Sequence, residues 1–350
     1  MTASAFLTHL GFCTCLALLS AAAVWGMTQV GVLDTPGARS SHTRPTPKGG
    51  GVGIVLAFLV GILVLYRFAA FSRLADPYFR AVILAAVGIA IVAYLDDVLY
   101  WPASVKLAAQ VLAAFIVVGS GLSVDMVRLP VIGPVGLGWF GPVLTLGWIV
   151  AATNAMNFID GLNGLAAGAA AIACAFLAAI AASLGAWFVY FAALLLVAGL
   201  VGFLPFNFPR ARIFMGDVGS QFCGFLLAVL GVAAGRFEGV ELSIVLVPML
   251  LAGVLFDVAF TLVRRALAGD RLTEAHRSHL YQIAHRSGME AVAITLVHWG
   301  FVVWGGLCCL AFMAAGPDWK PAWVLLVLPP QLAWLVFVQR QARRAGIARW

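Results

Sequence analysis

The sequence predicts an all-α integral membrane protein with many transmembrane helices. Of its 350 residues, 63% are apolar and only 10% are charged, and the mean hydropathy is +1.04. A soluble domain of this size would have to expose much of that apolar surface to water. Long apolar runs also alternate with short polar loops along the whole chain, as expected when each run crosses a bilayer as a helix.

Apolar runs long enough to span a bilayer predict about eleven transmembrane helices. Their centres fall near residues 15, 58, 88, 114, 146, 174, 195, 228, 252, 302 and 330. The first run, from Ala3 to Val30, is predicted to be a retained helix and not a cleaved signal, because no Lys or Arg precedes Arg39. No internal repeat or linker interrupts the pattern, so we treat residues 1–350 as one membrane domain.

The basic residues predict the orientation of the chain. Its 21 Lys and Arg outnumber its 14 Asp and Glu, and the alternating spans place most of the basic residues on the same side as the loop 31–48. The positive-inside rule assigns that side to the cytoplasm. The N-terminus is then periplasmic and the C-terminus cytoplasmic in a bacterial inner membrane, although Arg67, Arg73 and Arg80 in one outer loop favour the reverse.

A polar stretch at residues 153–168 separates two long apolar runs. Polar side chains recur there at every third position, at Asn154, Asn157, Asp160 and Asn163. A helix would keep them on one slowly winding face, where one carboxylate and three amides can bind a metal ion together with a sugar or a phosphate. Because Asn, Asp and Gly also favour caps and turns, a helix-capping turn is the alternative interpretation.

Four basic or acidic residues precede this stretch on the same predicted side. Lys48 stands before a run of glycines, which fits either phosphate binding or close helix packing. Asp96 and Asp97 end the third span, where two adjacent carboxylates favour a nearby cation or a shared proton; a solvated helix end is the alternative. Lys106 shares a helix face with Gln110, or it extends to the interface as lysines near span ends often do.

The loop 206–220 combines several groups that bind nucleotides and metals. It contains Arg210 and Arg212, an aromatic ring at Phe214 and an aspartate, Asp217, between two glycines. The ring can stack on a base, and the aspartate can approach a metal without crowding. An ordinary connecting turn is the alternative interpretation.

The segment 276–282, His-Arg-Ser-His-Leu-Tyr-Gln, forms part of the last large inside loop. His276 and His279 are three residues apart and can contact one ligand, with Arg277 between them. Asp257 lies within the ninth predicted span, where an ionisable group is either functional or paired with an arginine at the end of the same helix.

Together these motifs resemble a known family over essentially the whole chain. The matching segments are 45–51, 95–97, 154–164, 214–220 and 276–279, all on loops predicted to face the cytoplasm. The chain resembles the polyprenyl-phosphate N-acetylhexosamine-1-phosphate transferases, a membrane family that includes phospho-N-acetylmuramoyl-pentapeptide transferase. The resemblance implies transfer of a sugar 1-phosphate from a UDP-N-acetylhexosamine to undecaprenyl phosphate, with release of UMP and a need for Mg²⁺, with Mn²⁺ as the alternative ion.

The resemblance also implies roles for individual residues. By position, Asp217 matches the metal-binding aspartate, Phe214 an aromatic that stacks on uracil, and Asp96 or Asp97 the carboxylate that activates the lipid phosphate. The polar residues that the family has beside the metal are matched by Asn157 and Asp160. Where several members have a second aspartate, this chain has Asn163, and its histidine segment is closer to the branch that starts O-antigen-type glycans.

Elementary chemistry supports the transfer that the resemblance implies. A phosphate monoester must attack a pyrophosphate, so metal and basic side chains have to offset negative charge on both reactants. We predict a cytoplasmic-face active site with catalytic Asp96, Asp97, Asp160 and His279 and with Asp217 and Asp160 as metal ligands. The predicted substrate-binding residues are Lys48, Lys106, Asn154, Asn157, Asn163, Arg210, Arg212, Phe214, His276 and Arg277.

The expected partners are undecaprenyl phosphate, a UDP-N-acetylhexosamine and membrane lipids, with a homodimer as one option. Nucleic acid is not expected, because the chain has no soluble domain that would present a basic surface to it. The alternative function is a membrane transporter for a lipid-linked or anionic solute. Transporters place polar groups near the midplane on broken helices, whereas here only Asp257 lies well inside a predicted span.

Overall fold

The computed structural model describes residues 2–30, 32–34, 45–68, 77–129, 133–236, 242–271 and 276–347. In chain order the helices are α1 (Ala3–Val30), α2 (Gly51–Phe68), α3 (Pro77–Leu99), α4 (Ala103–Gly119), α5 (Phe140–Ile159), α6 (Leu165–Leu184), α7 (Trp187–Asn207), α8 (Gly216–Arg236), α9 (Leu246–Leu250), α10 (Ala252–Leu267), α11 (Leu280–Arg286), α12 (Ala291–Ala314), α13 (Lys320–Leu326) and α14 (Pro329–Arg344). Arg39 and Arg73, which entered the topology prediction, lie outside the described residues.

The strands in the described part of the chain form two short antiparallel pairs. The first joins β1 (Leu33–Asp34) to β2 (Thr46–Pro47), and the second joins β3 (Met126–Leu129) to β4 (Gly133–Gly136). The second pair connects α4 to α5 at the opposite end of α4 from the α3 carboxyl end. Neither pair contributes to the membrane bundle, so the all-α prediction is confirmed.

Nine helical segments of the described chain are long and apolar enough to cross a membrane. They are α1, α2, α3, α5, α6, α7, α8, α12 and the segment Pro317–Arg344, which includes α13 and α14. The other two predicted spans correspond to α4, which has 17 residues, and to the region near residue 252, where a break at Leu251 separates α9 from α10. Every predicted span therefore falls on a helix, and the polytopic membrane fold is confirmed.

The core of the bundle lies around α8. Of the residues in the apolar stretch of α8, 94% are buried, compared with 17% in α1. The difference arises because α8 packs against α2, α3 and α5. The neighbouring α6 is rich in buried alanines, whose small side chains allow close helix packing. This arrangement brings the carboxyl ends of α3 and α5 to the same end of the bundle as the amino ends of α2, α4 and α8.

Candidate active site

Lys106 connects two carboxylates at this end of the bundle. Its Nζ lies 2.9 Å from Asp96 Oδ2 and 2.9 Å from Asp217 Oδ2. Asp96 is in the last turn of α3, Lys106 is in the first turn of α4, and Asp217 is in the first turn of α8. One ammonium group therefore joins three helix ends, and the carboxylates are close enough to share a cation.

The Asp217 carboxylate is oriented by two further side chains. Asn157, in the last turn of α5, donates from Nδ2 to Asp217 Oδ1 at 3.0 Å and also to Ser220 Oγ at 2.9 Å. Gln221 donates from Nε2 to Asp217 Oδ2 at 3.2 Å. The position of Asp217 in the first turn of α8 also favours its negative charge, because the helix dipole is positive there.

A second ion pair forms beside the first. Lys48 Nζ lies 3.4 Å from Asp97 Oδ1 and 4.6 Å from the centre of the Tyr100 ring. Asp97 also lies against Gly216, which has φ +73°, and a Cβ on that glycine would come within 2.6 Å of Asp97 Oδ2. Only glycine therefore fits at the start of α8 without displacing this carboxylate.

Backbone contacts hold the Lys48 segment against the loop before α8. The Phe214 N–H donates to Pro47 O at 2.8 Å, and the Gly50 N–H donates to Phe214 O at 2.9 Å. Gly51 and Gly219 pack backbone to backbone, so that a side chain on either would overlap the other. Of the two interpretations of this glycine run, close helix packing is the one the structure supports.

The region between these ion pairs carries an excess of negative charge. Asp96 Oδ1 and Asp97 Oδ2 are buried and accept no hydrogen bond from the described residues. Asp160 follows the last residue of α5. Burial, together with the negative charges of Asp217 and Asp97, raises the pKa of its carboxyl to about 8. Such a cluster suits a bound cation.

The protein offers few ligands for a metal ion. In the described ranges, no group of three or more His, Cys, Asp or Glu side chains is arranged to hold a metal. Mg²⁺ commonly takes one or two carboxylates and fills its remaining positions with water and substrate phosphate. The unpartnered oxygens of Asp96 and Asp97 and the clustered carboxylates fit a cation of this kind.

The predicted common face of Asn154, Asn157, Asp160 and Asn163 is wrong beyond Ile159. Helix α5 ends at that residue, and residues 160–164 form a turn in which Gly164 has φ +73°. The side chain of Asn207 stabilises the turn by accepting from the Gly164 N–H at 2.6 Å. Asn163 points to the next loop and donates to Pro209 O at 3.2 Å. The turn interpretation therefore holds for residues 160–164.

A chain of amides leads from Asp217 towards the interior of the membrane. Gln221 accepts at Oε1 from Gln110 Nε2 at 3.0 Å, and Gln110 accepts at Oε1 from Asn154 Nδ2 at 2.6 Å. The sequence predicted that Gln110 shares a helix face with Lys106 but did not identify it as a site residue, and it did not single out Gln221. Gln221 lies four residues after Asp217 in the same way, and that spacing is the signal that was available.

The arginines of the 206–220 loop lie at the same end of the bundle. Arg210 and Arg212 are exposed, and within the described chain neither forms an ion pair. Phe214 is half-buried, with its backbone tied to the segment before α2. These groups remain accessible to an anionic ligand that approaches from water.

The histidine segment packs beside the end of α5. The rings of His279 and Phe158 are 5.9 Å apart, and the Tyr281 hydroxyl donates to Phe158 O at 3.0 Å. His276 and His279 lie side by side, with ring centres 5.0 Å apart. Arg277 is half-buried, and its carbonyl accepts from an arginine of α11. The segment therefore borders the site formed by the other motifs.

Burial, together with the charges of His279 and Arg265, lowers the pKa of His276 to about 4. Its Nδ1 lies 2.9 Å from Ser278 Oγ. His276 is therefore neutral near pH 7.

The sequence left two alternatives for Asp257, a functional role or a pair with an arginine of the same helix, and in the structure Asp257 does not pair with an arginine. Its carboxylate lies 3.1 Å from His279 Nδ1 and accepts the first two N–H groups of α11. Arg264 instead donates to Ser278 O at 3.0 Å, and Arg265 donates to a loop carbonyl at 2.6 Å. The sequence did not predict this contact because it joins two separate segments of the chain.

Known proteins show similarity over nearly the whole chain. The family model described as Glycosyl transferase family 4 matches residues 79–235. A probable undecaprenyl-phosphate N-acetylglucosaminyl 1-phosphate transferase of Bacillus subtilis is 31% identical over 327 residues, which cover 91% of this chain and 86% of the relative. A decaprenyl-phosphate N-acetylglucosaminephosphotransferase of Mycobacterium tuberculosis is 31% identical over 81% of this chain and 77% of its own.

A more distant branch matches as well. A phospho-N-acetylmuramoyl-pentapeptide-transferase of Acetivibrio thermocellus is 31% identical over 77% of this chain and 81% of its own. The residues matched by the family model include Asp96, Lys106, Asn157 and Asp217. The matched range therefore contains much of the geometric cluster, whereas Lys48 and the histidine segment lie outside it.

Proposed function

The chain belongs to the polyprenyl-phosphate N-acetylhexosamine-1-phosphate transferases of glycosyl transferase family 4, and from this premise we propose that its donor is a UDP-N-acetylhexosamine and its acceptor undecaprenyl phosphate. The protein is a phospho-sugar transferase that acts on a polyprenyl phosphate. Membership of an enzyme family also leaves the transporter alternative without support. The proposed products are UMP and a lipid-linked diphosphate sugar that begins an O-antigen-type surface polysaccharide.

In the proposed reaction, a phosphate oxygen of the lipid attacks the β-phosphorus of the UDP-sugar. A new phosphorus–oxygen bond forms while the bond from the β-phosphorus to the bridging oxygen breaks, and the electron pair leaves with UMP. Both reactants are anionic, so catalysis depends on positive charge placed where they meet. Placing the site at helix ends lets one substrate arrive from water and the other from the membrane.

The observation that carries this proposal is the contact of Lys106 with both Asp96 and Asp217. The lysine lies where it can exchange a carboxylate for a phosphate oxygen without a backbone movement, and Lys48 is placed in the same way beside Asp97. Asp96 or Asp97 then accepts the proton of the lipid phosphate. The exposed arginines of the 206–220 loop extend the positive charge towards the donor.

Mg²⁺ fits this proposal as a cofactor held by Asp217 and Asp160. When bound, it would neutralise charge on the diphosphate and polarise its oxygens. Asn157 supports the arrangement by fixing the orientation of Asp217. The site has more carboxylates than lysines to neutralise them, which supports a bound divalent cation.

The remaining residues are assigned to recognition of the donor. Phe214 is proposed to stack on uracil, and His276, Arg277 and His279 to contact the diphosphate or the sugar. The cytoplasmic face of a bacterial inner membrane is the proposed location, because the basic loops and the site share one end of the bundle. UDP-sugars are cytoplasmic metabolites, which agrees with that side.

Transfer assays with purified protein test the proposal. The protein is incubated with undecaprenyl phosphate, Mg²⁺ and one of several UDP-N-acetylhexosamines, and both UMP and the lipid product are measured. We expect product with at least one donor, loss of activity on metal chelation, and no UMP release by Asp217→Asn, because an amide replaces a charged oxygen ligand poorly.

Asp318→Asn is the matched control, because this exposed aspartate follows α12 at the end away from the histidine segment. It should retain wild-type activity. Absence of a lipid-linked product with every donor, or UMP release that does not require the lipid, would contradict the proposed function.

A further inference from the structure

We propose that Asp257 is a positioning residue that holds the His279 ring with its proton on Nδ1, so that Nε2 faces the substrate side. The inference rests on the proposed function only for the role of His279. Asp257 is 1% exposed and His279 is 4% exposed. The two residues come from different segments, α10 and the loop before α11.

The donors around Asp257 define its ionisation state. Oδ1 faces His279 Nδ1 at 3.1 Å, the Leu280 N–H at 2.9 Å and the Thr261 hydroxyl at 3.3 Å. Oδ2 accepts the Tyr281 N–H at 3.0 Å. The Leu280 and Tyr281 N–H groups can only donate, and between them they bind both carboxylate oxygens, which favours the ionised form of Asp257.

An ionised carboxylate accepts hydrogen bonds and donates none. The ring nitrogen that faces it must therefore carry a proton, which assigns the proton to His279 Nδ1 whether the ring is neutral or charged. Nε2 is then the nitrogen left for a substrate, as an acceptor on the neutral ring or a donor on the charged ring. Asp257 thus selects one of the two neutral tautomers.

Neighbouring rings limit the orientation of His279 further. Its ring lies 5.9 Å from the Phe158 ring and 5.9 Å from the Tyr281 ring, which is nearly parallel to it. His298 approaches Asp257 from the other side, but its Nε2 is 4.0 Å from Oδ2, too far for a hydrogen bond. Within the described residues, His279 is the histidine that Asp257 binds directly.

Asp257 also has a structural role as a helix cap, and experiment can separate this role from the positioning of His279. The carboxylate also caps α11, and Gln282 adds a second cap by accepting the His279 N–H at 3.2 Å, as one half of a capping box between these two residues. Gln282→Ala removes this cap without touching the His279 ring. It is therefore the matched control for loosening of α11.

The test uses nitrogen NMR of the full-length protein labelled with ¹⁵N-histidine in lipid nanodiscs. The chain has 6 histidines, and His279→Gln assigns the signals of this ring. We expect protonated Nδ1 from about pH 6 to about pH 10, a range that extends to both sides of the reference histidine pKa. Bare Nδ1 on the neutral ring in the wild-type protein would overturn the proposal without any variant at Asp257.

Asp257→Ala should remove the preference and shift the neutral ring to the Nε2-protonated form, whereas Gln282→Ala should keep the wild-type signals. In the transfer assay, Asp257→Ala should lower kcat/KM by about 10- to 100-fold, the usual effect of losing a residue that orients a functional histidine. An equal change of the His279 signals in Gln282→Ala would reduce Asp257 to a helix cap and overturn the proposal. A wild-type NMR result with no transfer activity would instead reject only the proposed function.

Discussion

Lys106 Nζ lies 2.9 Å from Asp217 Oδ2, although the two residues are 111 positions apart in the chain. The same ammonium contacts Asp96 at an equal distance. The side chains of Lys106 and Asp217 remain about a quarter exposed, and ion pairs of this kind contribute little to stability. The arrangement is better explained by a function that needs exchangeable charge at the membrane surface.

Lys106→Met should therefore impair catalysis far more than folding. The substitution keeps an apolar stem of similar length but leaves two carboxylates without their shared cation and removes positive charge from the phosphates. We expect kcat/KM to fall by about 100-fold or more, the scale of removing one stabilising donor from a reacting centre. UMP release and the thermal midpoint are measured on the same preparation.

Lys320→Met is the matched control for that substitution, because its ammonium packs over the Phe312 ring at 5.1 Å, away from the site. It should retain wild-type turnover. Wild-type kcat/KM in Lys106→Met would show that the bridging contact has no part in the reaction.

Asp96 and Asp97 should differ when each is replaced by Asn. Asp96 shares Lys106 with Asp217, whereas Asp97 has the longer contact with Lys48 and lies against Gly216. If one carboxylate accepts the proton and the other only shapes the charge of the site, turnover of the two variants should differ by about tenfold or more. Equal and mild losses would indicate a solvated helix end with no catalytic role.

Gly216→Ala should reduce both stability and activity, and a second glycine separates the two effects. Gly216 and Gly269 have φ of +73° and +75°, but only at Gly216 would a Cβ meet a functional group, Asp97 Oδ2. Both alanine variants should lose about 1 kcal/mol from left-handed backbone strain. Only Gly216→Ala should also lose most of its transfer activity; equal activities in the two variants would contradict the role of this contact.

The sequence predicted the membrane fold and the grouping of the motifs at one end of the bundle, because the bilayer simplifies both problems. Apolar length specifies a spanning helix, and alternation of spans then places the Asp96, Asp160 and Asp217 loops at one end. The sequence also placed an aspartate between two glycines at residue 217, and in the structure Lys106, Asn157 and Gln221 contact that aspartate. None of this required knowledge of which side chains touch.

The contacts themselves could not be predicted from one sequence. Which carboxylate pairs with Lys106 depends on helix packing between residues more than a hundred positions apart. For Asp257, the arginines at the end of its own helix are nearer in sequence than His279, so they were the more obvious partners. The end of α5 at Ile159 was missed because spacing of three is compatible with both a helix and a turn. Packing and the glycines at 161 and 164 decide between them.

His276 should contact the substrate as a neutral ring across the working pH range. Burial, together with the charges of His279 and Arg265, lowers its pKa to about 4, while Asp270 acts in the opposite direction. A lowered pKa means that the neutral ring is present from well below pH 6 upwards, and that its charge appears only as the pH falls towards 4. A contact with the substrate through this ring is therefore a neutral hydrogen bond throughout the working range.

His276→Ala should lower kcat/KM for the UDP-sugar by the same factor at about pH 6 and at about pH 9, because the protonation of His276 does not change between them. A neutral hydrogen bond corresponds to a loss of about 2- to 10-fold. His279→Ala should cost at least about tenfold, as expected for a charge-assisted bond. His9→Ala is the control, since His9 contacts Tyr190 near the other end of α7. If the ratio of wild-type to His276→Ala activity instead falls as the pH rises above about 7, the His276 ring is protonated in the working enzyme and binds phosphate as a cation.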